Sequence, residues 1–251
     1  MHILLANDDG IGAKGIMALM DAAVERGHQV SMCAPRYQQS AASHRFTLTE
    51  PLYSADYPLP YPGCQGFSIV GSPADCVRIG LQQLRGRPVD VVISGINDGY
   101  NAGIAVHYSG TVGAAMEGAF HHLPAIAASI HHQADGEMLR HLARYTIETA
   151  EKYAKLSMPR GIILNINAPC VEPDRLKPPV YAPLDTAFFV DGYEQRESPR
   201  AGTYFWLTNG GEIEPCDPGS DDDYLEKGHI TLTLIGNFAS LDPALLKGLN
   251  G

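Results

Sequence analysis

Between Met1 and about Ala168, short apolar runs rich in β-branched residues alternate with longer segments whose apolar residues recur every three or four positions. This alternation constrains the chain more than any other feature. A strand followed by an amphipathic helix and another strand closes most readily as a βαβ unit, so the pattern predicts a parallel sheet with helices on both faces. The expected strands are His2–Ala6, Gln29–Ala34, Phe67–Val70, Val89–Ser94, Ala125–Ser129 and Gly161–Ile166, and the expected helices are Ile16–Arg26, Ala74–Arg85, Thr111–His121 and Gly136–Leu156. Several strands are almost continuously apolar, as strands covered on both faces are. The fold class is therefore α/β, a Rossmann-like three-layer core.

From about Pro169 the texture changes. The prolines of Lys177–Pro183, the aromatic run Tyr204–Leu207 and the turn Asn209-Gly210-Gly211 predict extended strands and hairpins, and His229–Ile235 alternates like a strand with one wet face. The expected division is a core over 1–168 and an extended hairpin and C-terminal segment over 169–251, built as one unit. The length of 251 residues suits this, since domains usually hold roughly 100–200 residues.

Composition narrows the partners. With 28 acidic against 18 basic residues, the formal net charge of −10 opposes diffuse binding to a nucleic-acid polymer or an anionic membrane, so a phosphate ligand must be held locally. Five scattered cysteines without a C-x-x-C pair read as free thiols of a reducing compartment. Two acids interrupt the first apolar run, and no apolar stretch reaches ~18 residues. A cytoplasmic protein is expected.

In an open parallel sheet, ligands gather outside the carboxyl ends of the strands. There the first strand delivers Asn7-Asp8-Asp9-Gly10, the second leads into Gln38-Gln39-Ser40, and the fourth into Ser94-Gly95-Ile96-Asn97-Asp98-Gly99-Tyr100-Asn101. Adjacent carboxylates repel in a shared cleft, and a hard divalent cation with oxygen ligands relieves them. Asp8 and Asp9, with Ser40 and Asn97 as neutral oxygen ligands, suit one Mg²⁺ or Mn²⁺. A solvated turn with an aspartate cap is the plain alternative. The run Tyr108-Ser109-Gly110-Thr111 opens a helix, with Thr111 as its expected cap and its amides and hydroxyls as phosphate donors.

Other motifs lead elsewhere. Gly10-Ile11-Gly12-Ala13-Lys14-Gly15 fits the G-x-G-x-x-G dinucleotide fingerprint, but two carboxylates would face the pyrophosphate and no acid ends the second strand to hold a ribose. An aspartyl-phosphate mechanism would need a carboxylate where Asn7 stands. The pairs His121-His122 and His131-His132 lack a helical metal-ligand spacing and read as structural or exposed. His44, four residues beyond Ser40, is the candidate general acid, with a loop histidine bonded to backbone as its alternative. Asp221-Asp222-Asp223 lacks the spacing of a calcium loop and reads as a solvated turn.

Taken in order, Ile3 to Ile11 with Gly15-Ile16, Ala34-Pro35 to Ser40, Gly71-Ser72-Pro73-Ala74-Asp75-Cys76-Val77, Ser94-Gly95-Ile96-Asn97 and Tyr108-Ser109-Gly110-Thr111-Val112 resemble the SurE family of survival-protein phosphatases. The likeness continues through Leu164-Asn165-Ile166-Asn167, Pro199-Arg200, Tyr204-Phe205-Trp206-Leu207 and Gly219-Ser220-Asp221. Where family loops often read N-Q-S-G or S-A-T-G, this chain has Gln39-Ser40-Ala41-Ala42-Ser43, and Ser72 stands where Thr is common. The resemblance implies a metal-dependent phosphatase of nucleoside 5′-monophosphates, often with 3′-nucleotide and short-polyphosphate activity. It implies metal ligands at Asp8, Asp9, Ser40 and Asn97, phosphate contacts at Asn101, Ser109, Gly110 and Thr111 beside Asn97, and a homodimer or tetramer exchanging C-terminal segments. The expected catalytic residues are Asp8, Asp9 and His44. A non-catalytic nucleotide-binding module using the same crevice is the alternative.

Overall fold

The computed structural model describes residues 1–187, 192–208 and 214–236. Asn209-Gly210-Gly211 lies outside the described residues. Chain order runs β1 (His2–Ala6), α1 (Lys14–Glu25), β2 (Gln29–Pro35), β3 (Tyr53–Asp56), β4 (Gln65–Val70), α2 (Pro73–Gln83), β5 (Val91–Asp98), α3 (Gly110–Phe120), β6 (Ala125–Ile130), α4 (Gly136–Tyr153) and β7 (Ile162–Ala168). β8 (Lys177–Tyr181), β9 (Gly192–Ser198), β10 (Gly202–Thr208), α5 (Asp221–Glu226) and β11 (His229–Gly236) complete it.

Nine strands form one sheet in the order β3-β4-β2-β1-β5-β6-β7-β11-β8, parallel from β4 to β7, with β3 and β11 antiparallel to their neighbours β4 and β7. Helices α1 and α4 cover one face, burying Ile16, Leu19, Met20, Leu142 and Ile147 against Ile3, Leu5 and Ile93. Helices α2 and α3 cover the other through Val77, Val112, Ala115 and Met116 against Leu4 and Val92. The apolar stripes at three- and four-residue spacing thus become the two outer layers. Caps set the helix starts: Ser72 and Asp75 form a reciprocal box ahead of Pro73, and Asp135 accepts from the amides of Glu137 and Met138.

Two features depart from the sequence reading. β3, whose four residues are all exposed, had no apolar alternation to announce it. β8 and β11 rejoin the main sheet beyond β7, so only the β9–β10 hairpin stands apart as a separate two-stranded sheet. The reason is the buried face of β11, where Ile230 and Leu232 complete the core.

One ion-pair cluster ties α4 to the turn after α1. Arg26 grips Glu151 with two hydrogen bonds of 2.9 and 2.7 Å, and His28 Nε2 lies 2.8 Å from the same carboxylate. The Arg26 guanidinium, then His28, holds Glu151 down to about 2. Because the folded value lies below the ordinary 4.5, this stabilisation is present above pH 4.5 and is lost as pH falls toward 2. In urea denaturation, Glu151→Gln is expected to cost up to ~1 kcal/mol at pH 7, the gap to wild type closing through that acid window. A gap independent of pH would contradict the assignment.

Candidate functional site at the carboxyl edge of the sheet

Strand order reverses between β1 and β5: the chain first builds outward through β2 and β4, then returns to the other side of β1. Loops diverge at such a point and leave a crevice. Asp8 and Asp9 emerge there from β1, Asn97 lies in the last turn of β5, and α3 begins across from them. The β5–β6 ladder slips between Ser94 and Asn97, so β5 runs on to Asp98, beyond the expected end at Ser94.

Asp8 is buried, and both of its carboxylate oxygens face the start of α3. Oδ1 accepts from the Thr111 hydroxyl at 2.5 Å, and Oδ2 accepts from the Thr111 amide at 3.2 Å. Burial pushes its pKa up, and the Thr111 hydroxyl opposes that shift. The Asp8 side chain is therefore the anion at the positive end of the α3 dipole. Two expectations change accordingly. The cap of α3 is Ser109, whose Oγ accepts from the Val112 amide, whereas Thr111 serves Asp8. Gly110 is pressed against Asp8, where a Cβ would stand 2.9 Å from the aspartate Cβ, so the helix start faces the carboxylate directly.

Asp9 is half-buried beside it and accepts from the Asp98 amide at 3.3 Å. Burial first, then the neighbouring Asp8 charge, raises Asp9 to about 6. Asp9, Asp98, Gln38, Lys14 and His132 line one hollow of about 410 Å³. Gln38 Nε2 donates to Ser40 Oγ at 3.0 Å, and Asn97 Nδ2 donates to the Gly99 carbonyl at 2.7 Å. The loop holding Ser40 is under backbone strain: Ala41 and Ser43 sit at φ +57° and +52°, in the region that glycine adopts freely.

Asn101 is fixed by a buried network. Its amide donates to Asn167 Oδ1 at 2.8 Å, its side chain donates to Ser129 Oγ at 2.8 Å, and its carbonyl accepts from Asn165 and Asn167 at 2.7 and 3.1 Å. Nothing local singled out Ser129, Asn165 or Asn167 for this task. Two polar residues alternating on the otherwise apolar β7 were the available signal.

His44 is separated from Asp9. It lines a different hollow with Ser109 and Gly113, stacks on Phe120 at 5.2 Å, and directs Nε2 to Glu117 Oε2 at 2.9 Å. Buried Glu117 also takes Arg78 at 3.1 Å and His121 at 3.3 Å, and these partners outweigh burial to keep its pKa low. The candidate general acid His44 thus stands beside Ser109 with its Nε2 engaged by the α3 carboxylate Glu117, outside the hollow of Asp9. The plain readings also shift for the acidic triplet. Asp221 is fully buried, accepting amides of Gly103 at 3.1 Å and Asp185 at 2.8 Å, so the triplet is a structural first turn of α5 and not a solvated loop.

Asp8, Asp9, Ser40 and Asn97 offer oxygen donors of the kind a hard divalent cation takes. Burial and then the neighbouring Asp8 charge raise Asp9, and the amide nitrogen of Asn97 is already engaged, which leaves Oδ1 as its free acceptor. Among the described residues no three His, Cys, Asp or Glu side chains converge, so softer metals have no site of their usual kind.

The family described as Survival protein SurE matches residues 3–188. The 5′-nucleotidase SurE of Desulfovibrio desulfuricans is 41% identical over 239 residues, covering 93% of this chain and 91% of that protein. The 5′-nucleotidase SurE of Solidesulfovibrio magneticus is 39% identical over 249 residues, covering 99% and 96%. Among solved structures, that of the SurE protein from Aquifex aeolicus superposes with a TM-score of 0.81 at 27% identity, with full coverage of both chains.

Proposed function

The chain belongs to the SurE family, and on that premise we propose that it is a metal-dependent 5′-nucleotidase that hydrolyses nucleoside 5′-monophosphates, with 3′-nucleotides and short polyphosphate as further substrates. The observation that carries the metal-dependent reading is the pair of adjacent carboxylates Asp8 and Asp9 at the switch-point crevice, where burial first, and then the Asp8 charge, raises Asp9 to about 6.

Asp8, Asp9, Ser40 and Asn97 would hold one Mg²⁺ or Mn²⁺ per subunit. When bound, such an ion neutralises phosphoryl oxygens and lowers the pKa of a coordinated water. The chain's own residues do the positioning. The Asn101 network and the Ser109 cap fix donors on the phosphate side, and Thr111 holds Asp8 in place. Water adds to phosphorus as the phosphorus–oxygen bond to the ribose breaks, and the departing oxygen takes a proton from water. His44, tied to Glu117, anchors the strained Ser40 loop to α3.

The test is phosphate release from adenosine 5′-phosphate and p-nitrophenyl phosphate after chelation, with and without added Mn²⁺ or Mg²⁺. Release only with metal is expected. Saturable nucleotide binding without release would instead identify a non-catalytic module.

Assembly as a homodimer or tetramer and a cytoplasmic location belong to the same proposal. The β9–β10 hairpin leaves Tyr193, Phe205 and Leu207 on one face and Trp206 on the other, each more than half exposed, apolar surface that a second copy would cover. All five cysteines are free, as in a reducing compartment, and among the described residues no helix is long and apolar enough to cross a membrane. Light scattering after size exclusion should show a dimer or larger, and Trp206→Glu should shift it toward monomer. A wild-type monomer at micromolar concentration would overturn the assembly proposal.

A further inference from the structure

Glu117 is the one charged residue of α3, buried among small and apolar neighbours. Neither the proposed metal shell nor the phosphate donors include it. A carboxylate in such surroundings is costly unless its partners hold something in place. Ser109, Gly113, Glu117 and His121 recur every fourth residue, so they share one face of α3, running from the phosphate donors to the far end of the helix.

That face receives the loop that follows Ser40. A Cβ on Gly113 would stand 2.5 Å from the Ser43 carbonyl oxygen, so loop and helix meet main chain to main chain. One turn further, Glu117 Oε2 meets His44 Nε2 at 2.9 Å, and Oε1 accepts from Arg78 at 3.1 Å. Arg78 also lies over the Phe46 ring at 5.1 Å, a second hold on the same loop. Ser43 donates to the carbonyls of Tyr108 and His107 at 2.9 and 2.6 Å, in the segment that leads into α3. The other end of the loop is fixed at the acidic pair, where the Gln39 amide donates to the Asp8 carbonyl at 2.7 Å. Ser40 stands between these anchors, beside Ala41 and Ser43 at positive φ. Backbone held in that region persists only while its surroundings restrain it.

From this arrangement we infer that Glu117 is a positioning residue for the metal site: through His44 and Arg78 it holds the downstream end of the loop, and so sets the place of Ser40 relative to Asp8 and to the start of α3. The inference rests on the metal-dependent reading and adds a residue outside the proposed ligand set. A carboxylate suits the task because it offers an acceptor oxygen to each of two segments. The amide of glutamine offers one oxygen and turns a donor toward His44 or Arg78.

The test measures Mn²⁺ affinity by calorimetric titration, and amide exchange over residues 39–45 without metal, in wild type, Glu117→Gln, His44→Ala, their combination and His121→Ala. Glu117→Gln and His44→Ala are each expected to weaken Mn²⁺ binding at least tenfold and to speed exchange of the loop amides. The combination should be no worse than the more damaging single change, because both break one contact. His121, which meets Glu117 at 3.3 Å from the end of α3 itself, is the control, and His121→Ala is expected to stay within twofold of wild type in both measurements. Should Glu117→Gln fail to fold, His44→Ala breaks the same contact from the loop side. Affinity and exchange within twofold of wild type in the folded Glu117 and His44 variants, or equal losses in His121→Ala, would overturn the inference. Absence of Mn²⁺ binding by wild type would overturn the metal reading instead, and loop exchange measured without metal would still decide whether Glu117 holds the loop.

Discussion

Asp9→Asn is expected to lower metal-dependent phosphate release by at least ~10²-fold while leaving the protein as stable as wild type or more so. The substitution removes one ligand charge and also removes the cost of burying that charge beside Asp8 and Asp98, which raises Asp9 to about 6. Asp8→Asn should abolish turnover to a similar degree but with a cost in stability. Its amide nitrogen can face the Thr111 hydroxyl and its oxygen the Thr111 amide, but two bonds to a charged acceptor become neutral ones, a loss of ~1–3 kcal/mol. Thermal unfolding and phosphate release, each measured after chelation and readdition of Mn²⁺, separate the two effects. Loss of turnover with stability intact in Asp9→Asn locates the defect in the chemistry. Wild-type turnover in either variant would refute the metal assignment.

Gly15→Ala is expected to destabilise the fold by about 3 kcal/mol or more, far beyond the propensity gain of alanine in a helix. An added Cβ would lie 1.9 Å from the Ile96 carbonyl oxygen and within 2.9 Å of the Ile96 backbone carbon and nitrogen, so α1 must lift off β5. Main-chain atoms cannot rotate aside as a side chain does. Ile96 precedes Asn97, so the same displacement should weaken Mn²⁺ binding. Urea midpoints and metal titration of the variant would show both losses, and a stability within ~0.5 kcal/mol of wild type would contradict the packing described.

The strands β1, β2, β6 and β7 were legible because burial on both faces demands apolar residues at most positions, a pattern no loop sustains. Asp8 and Asp9 stood out for the converse reason: paired charges directly after such a run are costly unless something binds them. β3 was not legible, since an exposed edge strand needs only a neighbour with free backbone groups. Glu117 gave no sign of its role either, because its partners Arg78 and His44 lie 39 and 73 residues away in sequence.

Local sequence thus determined the period, order and polarity of the elements, and through them the βαβ core and the chemical character of the loops at its carboxyl edge. Tertiary structure alone decided which groups face one another: Thr111 turned to Asp8 across 103 residues, Asn167 and Asn165 closed around Asn101, His44 turned to Glu117, and α5 folded over a cavity beside the Asn101 loop. Periodicity fixes the direction a side chain takes from its own element. The partner it meets depends on how separate elements pack, and that is settled by burial of the whole core.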